Sequence, residues 1–394
     1  MSRDLPLLPT CGFLALLTAC GVGTDSTNTS PHIEELPLLS YIEELRIGSV
    51  DDPDEGFSRI GMVVMGEDGT LYVLESQARE VRLFGPNGER RGTRGRPGQG
   101  PGEFTSPTTI GLVGDTLWVR DAGRQRISWF DRDGSLVHET PGVTLAVETD
   151  VPEMALSVVI GDPLSDGFVG SDHRRAMAGG AVDRPFHVPI VRFDRLGAVV
   201  DTVRWDTIDP GPTVRIGGRA VHPPRLRPRS PMIRLVGDER IEVHWSDGSG
   251  ILESLGLSAS GDTVAASTIR YEPIPLPAHV RDSLLVLPEG MGSFYGVSDA
   301  ALASAMASGL DLPHHRPPVR STFVAADRSV WIELNGTSPE WTEWAVLDQD
   351  LAPRGRVTLP PRMTPRYIDG STLWMVELDE LDVPWLVRLR VQGR

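Results

Sequence analysis

The chain has 394 residues, 40% of them hydrophobic and 23% charged, with a formal net charge of −16 at pH 7. That acidity argues against nucleic acid as a partner, because neutralising phosphates takes a basic footprint, and against a polybasic membrane patch. Every side-chain cation apart from histidine is arginine, and the only cysteines are Cys11 and Cys20, so the body of the fold must be held by burial rather than by disulfides.

Residues 1–19 read as an export signal. Arg3 gives a short n-region, and the mostly apolar run from Leu5 to Ala19 falls short of the about 20 residues that a spanning helix needs. Its end, Leu17-Thr18-Ala19-Cys20, resembles the bacterial lipobox, in which small residues precede a cysteine that takes a diacylglycerol and becomes the mature N-terminus. The resemblance implies lipidation at Cys20 and a place in the cell envelope. Gly21 stands where inner-membrane retention commonly uses aspartate, which favours the outer membrane. Residues 20–40 read as lipidated cysteine and polar, flexible tether, and the folded domain is expected over 41–394.

From Tyr41 onward one unit repeats. Leu71-Tyr72-Val73 follows Asp68-Gly69, Leu117-Trp118-Val119 follows Gly114-Asp115, Val330-Trp331-Ile332 follows Asp327, and Leu373-Trp374-Met375 follows Asp369-Gly370. Weaker copies centre on Phe168 and on Ile241-Glu242-Val243. Partner strands repeat too, as Val81–Phe84 before Asn87-Gly88 and Ile127–Phe130 before Asp133-Gly134. Asp-Gly and Asn-Gly between apolar runs are hairpin signals, because these residues accept positive φ. Tyr72 to Trp118 spans 46 residues and Trp331 to Trp374 spans 43. A period in the forties with four strands per unit predicts an all-β, six-bladed β-propeller. Ile42–Ile47 is expected to close the ring by completing the blade that ends in Trp385–Val391.

Gly98-Gln99-Gly100-Pro101-Gly102-Glu103-Phe104, then Pro107, Leu117–Asp121, Arg126-Ile127 and Phe130, resemble the NHL-type repeat, as found in six-bladed propeller lipoproteins of bacteria. The resemblance implies the propeller fold, with the Gly-rich run linking one blade to the next. It implies no particular activity, because propellers host many. A phosphate cradle is the other reading of Gly92–Gly102, although such loops normally open a helix and here a strand follows.

Five residues stand out as candidates for binding. Asp121 ends the second strand of blade two and Arg126 opens the third, where they would form either a ligand-facing pair on the channel rim or a turn-stabilising pair. Arg225 and Arg227 lie in a basic, Pro-rich insertion, Thr207–Ser230, which reads as a functional arm or a solvated loop. Trp341 is expected on a loop where it could stack on a sugar or peptide, with Trp344 in the core. A second insertion, Ala278–Pro318, should contain a helix capped by Ser298 and ended by Gly309, which would lid a propeller face, offer a groove, or pack on blade five.

The histidines are scattered and none recurs at the blade period. No catalytic residue, metal or cofactor is expected. The first expectation is therefore a membrane-anchored extracytoplasmic binding or scaffold propeller whose partner is a protein, peptide or glycan. The alternative is an envelope hydrolase or lyase, lactonase- or esterase-like, acting at the propeller axis. Histidines, aspartates and glutamates converging at one end of the channel would favour the enzyme.

Overall fold

The computed structural model describes residues 30–52, 55–141, 159–164, 167–171, 186–194, 199–208, 214–216, 219–221, 232–236, 239–258, 261–286, 288–294, 296–310, 312–336 and 338–393. Cys20, Arg225 and Arg227 lie outside them.

The described residues form six four-stranded antiparallel sheets, and the protein is an all-β propeller. Sheet one runs Ile60–Met65, Leu71–Glu75, Glu80–Phe84 and Arg90–Arg94. Sheet two runs Pro107–Val113, Thr116–Asp121, Arg126–Phe130 and Leu136–Pro141. Sheet three spans Val159 to Ile208, sheet four Met232 to Arg270, and sheet five Val319 to Leu359. Sheet six takes Met363–Asp369, Thr372–Leu378 and Pro384–Gln392 from the C-terminus, and its fourth strand is Ser40–Ile47 from the N-terminus. The expected closure is thus present: Tyr41 lies opposite Val391 and Ile47 opposite Leu386. Closing the ring pairs both chain ends within one sheet, with Ser40–Ile47 as its outer strand.

Apolar surface between adjacent sheets explains why the repeat carries aromatics. Tyr72 packs with Ile110 and Leu117 between sheets one and two. Trp374 packs with Val63 and Phe84 between six and one, and Trp331 with Ile368 and Leu373 between five and six. A middle strand has a neighbouring sheet on both faces, so alternation gives way to a continuous apolar run. Leu71–Glu75, buried at all five positions, is the clearest case. Trp118 lies flat over Gly111, whose missing side chain makes the room: a Cβ there would stand 2.4 Å from the indole nitrogen.

The N-terminal segment departs from expectation. A flexible tether over residues 20–40 is corrected for residues 31–39, which form a strap along three sheets. Arg270 N–H of sheet four donates to Pro31 O (2.9 Å), Leu39 N–H donates to Arg356 O (2.8 Å) and Arg356 N–H to Pro37 O (2.8 Å). Ile33 and Leu36 are buried with sheets four and five, and Leu39 with five and six. The apolar residues Ile33, Leu36 and Leu39, spaced three apart, are what the strap buries.

The two insertions meet each other. Residues 214–216 and 219–221 make a small hairpin, and the second insertion folds as helices α1 (Ala278–Ser283), α2 (Met291–Phe294) and α3 (Asp299–Gly309). Ser298 caps α3 through its hydroxyl, which accepts from Ala301 N–H (3.2 Å), as its sequence predicts. Leu302 and Met306 of α3 are buried against Val214 of the hairpin. The apolar helix therefore covers the other insertion, where a lid, a groove or packing on blade five was expected.

Candidate functional site

The first strand of each sheet is the innermost. In sheets one, two, five and six it begins with a break in ladder register, leaving Gly61 and Met62, Thr108, Arg320 and Arg366 out of the one-to-one pairing. A bulge re-aims side chains that alternation would otherwise send between the sheets. Gly61, Met62, Thr108 and Arg366 all line one cavity of about 800 Å³ at the axial end where the innermost strands begin. Its wall is completed by Arg59 and Ser106, just before the first strands of sheets one and two, by Ser76 and Gln77, and by Phe323 of sheet five. A smaller cavity of about 400 Å³ between sheets one and six shares Arg59, Ile60 and Arg366 with it.

Two buried carboxylates hold this rim in place. Glu75 accepts the backbone N–H groups of Ser58 (3.1 Å) and Arg59 (2.9 Å). Asp121 does the same in the next sheet, accepting from Thr105 N–H (2.8 Å), Ser106 N–H (2.8 Å) and Gly123 N–H (3.0 Å). Neither side chain has any solvent exposure. Charged acceptors bound to backbone donors make strong hydrogen bonds, so each fixes the segment that brings Arg59 or Ser106 to the cavity.

The reading of Asp121 and Arg126 as a ligand-facing pair is corrected by this geometry. They are ladder neighbours, yet their side chains are engaged elsewhere. The Asp121 oxygens are taken up by backbone donors. Arg126 bonds Glu139 (2.7 Å) and donates to Gly100 O (2.7 Å) and Glu103 O (2.9 Å), pinning the Gly-rich link. That link has no vacancy for a phosphate: Gly100 N–H donates to Glu103 Oε2 (2.7 Å) and Gly102 N–H to Glu139 Oε1 (3.1 Å). It joins sheet one to sheet two through a short parallel pairing of Arg96-Pro97 with Glu103-Phe104.

Trp341 is 47% exposed, on the loop between the second and third strands of sheet five. Trp344 is buried, and its indole N–H donates to Thr342 Oγ1 (3.2 Å). The antiparallel order within each sheet places that loop, the cavity mouth and the links carrying both insertions at the same end of the ring.

Sequence reasoning missed Arg59 and Arg366. Among the described residues the Arg366 guanidinium donates only to the carbonyl of its neighbour Pro365 (3.0 Å). Burial pushes its guanidinium below the ordinary arginine value. Among the described residues neither arginine forms an ion pair, and no carboxylate is among the residues lining the larger cavity. Among the described residues no group of three or more His, Cys, Asp or Glu is arranged to hold a metal.

No family model matches the chain, and no curated protein does. Among solved structures it is similar to a protein of Bacteroides fragilis described as exported, at 12% identity over 93% of this chain and 98% of that one, with a TM-score of 0.48. A DUF4221 family member from Bacteroides vulgatus is similar at 10% identity, covering 91% and 99%, with a TM-score of 0.40. Virginiamycin B lyase from Staphylococcus aureus is similar at 12% identity, covering 89% and 99%, with a TM-score of 0.37.

Proposed function

We propose that this chain is a six-bladed, NHL-type binding propeller held at the outer membrane by a lipid on Cys20, and that it receives part of a protein, peptide or glycan partner in its axial cavity. The observation that carries the reading is the cavity of about 800 Å³ whose wall is built from bulged residues of three different sheets. That volume lies in the range of sites that enclose a small ligand or the tip of a larger one. Its lining combines hydroxyls and an amide (Ser76, Ser106, Thr108, Gln77) with apolar Met62 and Phe323. Such a mixture serves recognition, the apolar part excluding water and the polar part fixing orientation. The lipobox supports the anchor, and among the described residues no helix is long and apolar enough to cross a membrane.

The test is a paired capture. Detergent-solubilised chain and its Thr108→Trp variant are each used to draw partners from envelope extract, with identification by mass spectrometry. A partner held by the native chain and weakened or lost by the variant is expected, because an indole at Thr108 intrudes into the cavity beside Ser106 and Pro107. Identical captures would reject the cavity as the seat. Labelled palmitate should enter the native chain and not Cys20→Ser; equal labelling would reject the anchor.

A further inference from the structure

We infer that the axial cavity is a carboxylate seat, in which the guanidinium groups of Arg366 and Arg59 grip a monoanionic carboxylate whose apolar neighbour rests on Met62 and Phe323. This rests on the cavity being the ligand site, and it adds the chemical class of what enters. Four observations converge on it.

The first is placement. Arg366 is the unpaired residue of a bulge, with Pro365 opposite Met375 and Tyr367 opposite Trp374. Without the bulge its side chain would follow the sheet's alternation. With it, Arg366 lines both cavities, and Arg59 lines the same two.

The second is the lack of internal satisfaction. A guanidinium has five donors, and Arg366 uses one on a neighbouring carbonyl. Arg126, by contrast, is engaged by Glu139 and two carbonyls. Arg59 is exposed and Arg366 half-buried; a half-buried cation without a counter-charge is unfavourable, and a bound anion lessens that penalty.

The third is the charge of the inner wall. On a chain of net charge −16, the innermost strands carry Arg234, Arg320 and Arg366 against only Asp162 and Asp369. At the cavity end Glu75 and Asp121 are taken up by backbone donors and Glu333 by Arg320, so these acids do not pair Arg59 or Arg366. The lining of the larger cavity itself holds two cations and no carboxylate, which favours an anion there.

The fourth selects the anion. Ile60, Met62, Pro107, Phe323 and Pro365 make much of the wall apolar. Stripping water from a phosphate dianion in such a site costs more than stripping it from a carboxylate, whereas the planar guanidinium fork matches a carboxylate in two parallel bonds.

The test uses the full chain in detergent micelles and three probes: N-acetyl-Leu-Phe with a free C-terminal carboxylate, the same dipeptide as its C-terminal amide, and inorganic phosphate. Binding is followed by titration calorimetry. The free acid is expected to bind at least about tenfold more tightly than the amide, and Arg366→Gln and Arg59→Gln should each weaken the acid by about tenfold while leaving the amide unchanged. Far-ultraviolet dichroism of both variants should match the native chain, and neither should melt below it. Equal binding of acid and amide, no binding of the acid, or indifference to both substitutions would overturn the inference. So would phosphate displacing the acid at equal concentration. Thr108→Trp separates the two levels of argument. If it abolishes binding while acid and amide bind alike, the cavity reading survives and the carboxylate seat fails. If the acid binds Thr108→Trp as it binds the native chain, the seat is elsewhere and both fail.

Discussion

A single methyl group at Gly355 should unseat the N-terminal strap. Gly355 lies on the fourth strand of sheet five, directly beneath the strap, and a Cβ there would stand 2.8 Å from Leu39 Cγ and 2.8 Å from Pro37 O. The second contact is backbone, so no rotamer change relieves it. Moving the strap outward breaks or lengthens the bonds from Leu39 N–H to Arg356 O and from Arg356 N–H to Pro37 O. Two such bonds contribute about 0.5–1.5 kcal/mol each. Part of the Leu39 burial is lost as well, from a total of about 1.5–3 kcal/mol. The lower freedom of alanine in the unfolded chain offsets about 0.4–1 kcal/mol. The net expectation for Gly355→Ala is a loss of about 2–4 kcal/mol. With an unfolding entropy of about 2.1 cal/mol/K per residue over the roughly 300 described residues, that lowers the melting temperature by about 3–6 °C. Gly336→Ala is the control, because a Cβ there meets nothing within 4 Å. Scanning calorimetry of the three proteins, with limited proteolysis of residues 31–39, reads the outcome. If Gly355→Ala melts with Gly336→Ala and the strap resists cleavage equally in both, the strap is not seated as described and the reasoning fails.

The rim clamps and the Gly-rich link give two more expectations. Asp121→Ala leaves the N–H groups of Thr105, Ser106 and Gly123 without their shared acceptor, which should cost about 3 kcal/mol or more in denaturant unfolding; a loss below about 1 kcal/mol would show that the clamp is dispensable. Glu103 is held below the ordinary carboxylate value of 4.5, first by the Gly100 N–H and then by the Arg96 guanidinium. A depressed folded-state value means stability that is present above 4.5 and lost as pH falls through the folded value. The native chain should therefore be more stable than Glu103→Gln at neutral pH, with the gap closing as pH drops below 4.5. A gap that stays constant down to the acid transition would show that the carboxylate contributes nothing through its charge.

The fold was legible because the residues that make it act locally. Asp-Gly and Asn-Gly turns at Asp68-Gly69, Asn87-Gly88 and Asp133-Gly134 announce hairpins, and Tyr72, Trp118, Trp331 and Trp374 mark the second strands at a near-constant period. The capped helix α3 was legible for the same reason, since Ser298 and Gly309 bracket it within one short window. The strap was not. Ile33, Leu36 and Leu39 form too short a run to announce an element, and Leu38 beside them is exposed. Their burial depends on edges of sheets four, five and six that come more than two hundred residues later in the chain. The meeting of the two insertions was hidden likewise, because Val214 and Met306 touch only once sheets three, four and five are in place.

The candidate site was hidden for a more specific reason. Asp121 looks like a ligand-facing carboxylate in sequence because it is an acid at a strand end, yet it is fully buried among backbone donors. Arg366 looks like an ordinary strand residue, yet it faces the cavity. What separates them is the register break between Pro365 and Tyr367. A bulge belongs to a pair of strands, so it leaves little trace in the sequence of either one. The same break recurs at Gly61-Met62 and at Thr108. Repetition of the blade therefore repeats a device that turns side chains toward the axis, while the residue delivered varies from sheet to sheet. The frame is set by what recurs, and the chemistry of the cavity by what does not. A search for residues repeating at the blade period thus finds the frame and passes over Arg366.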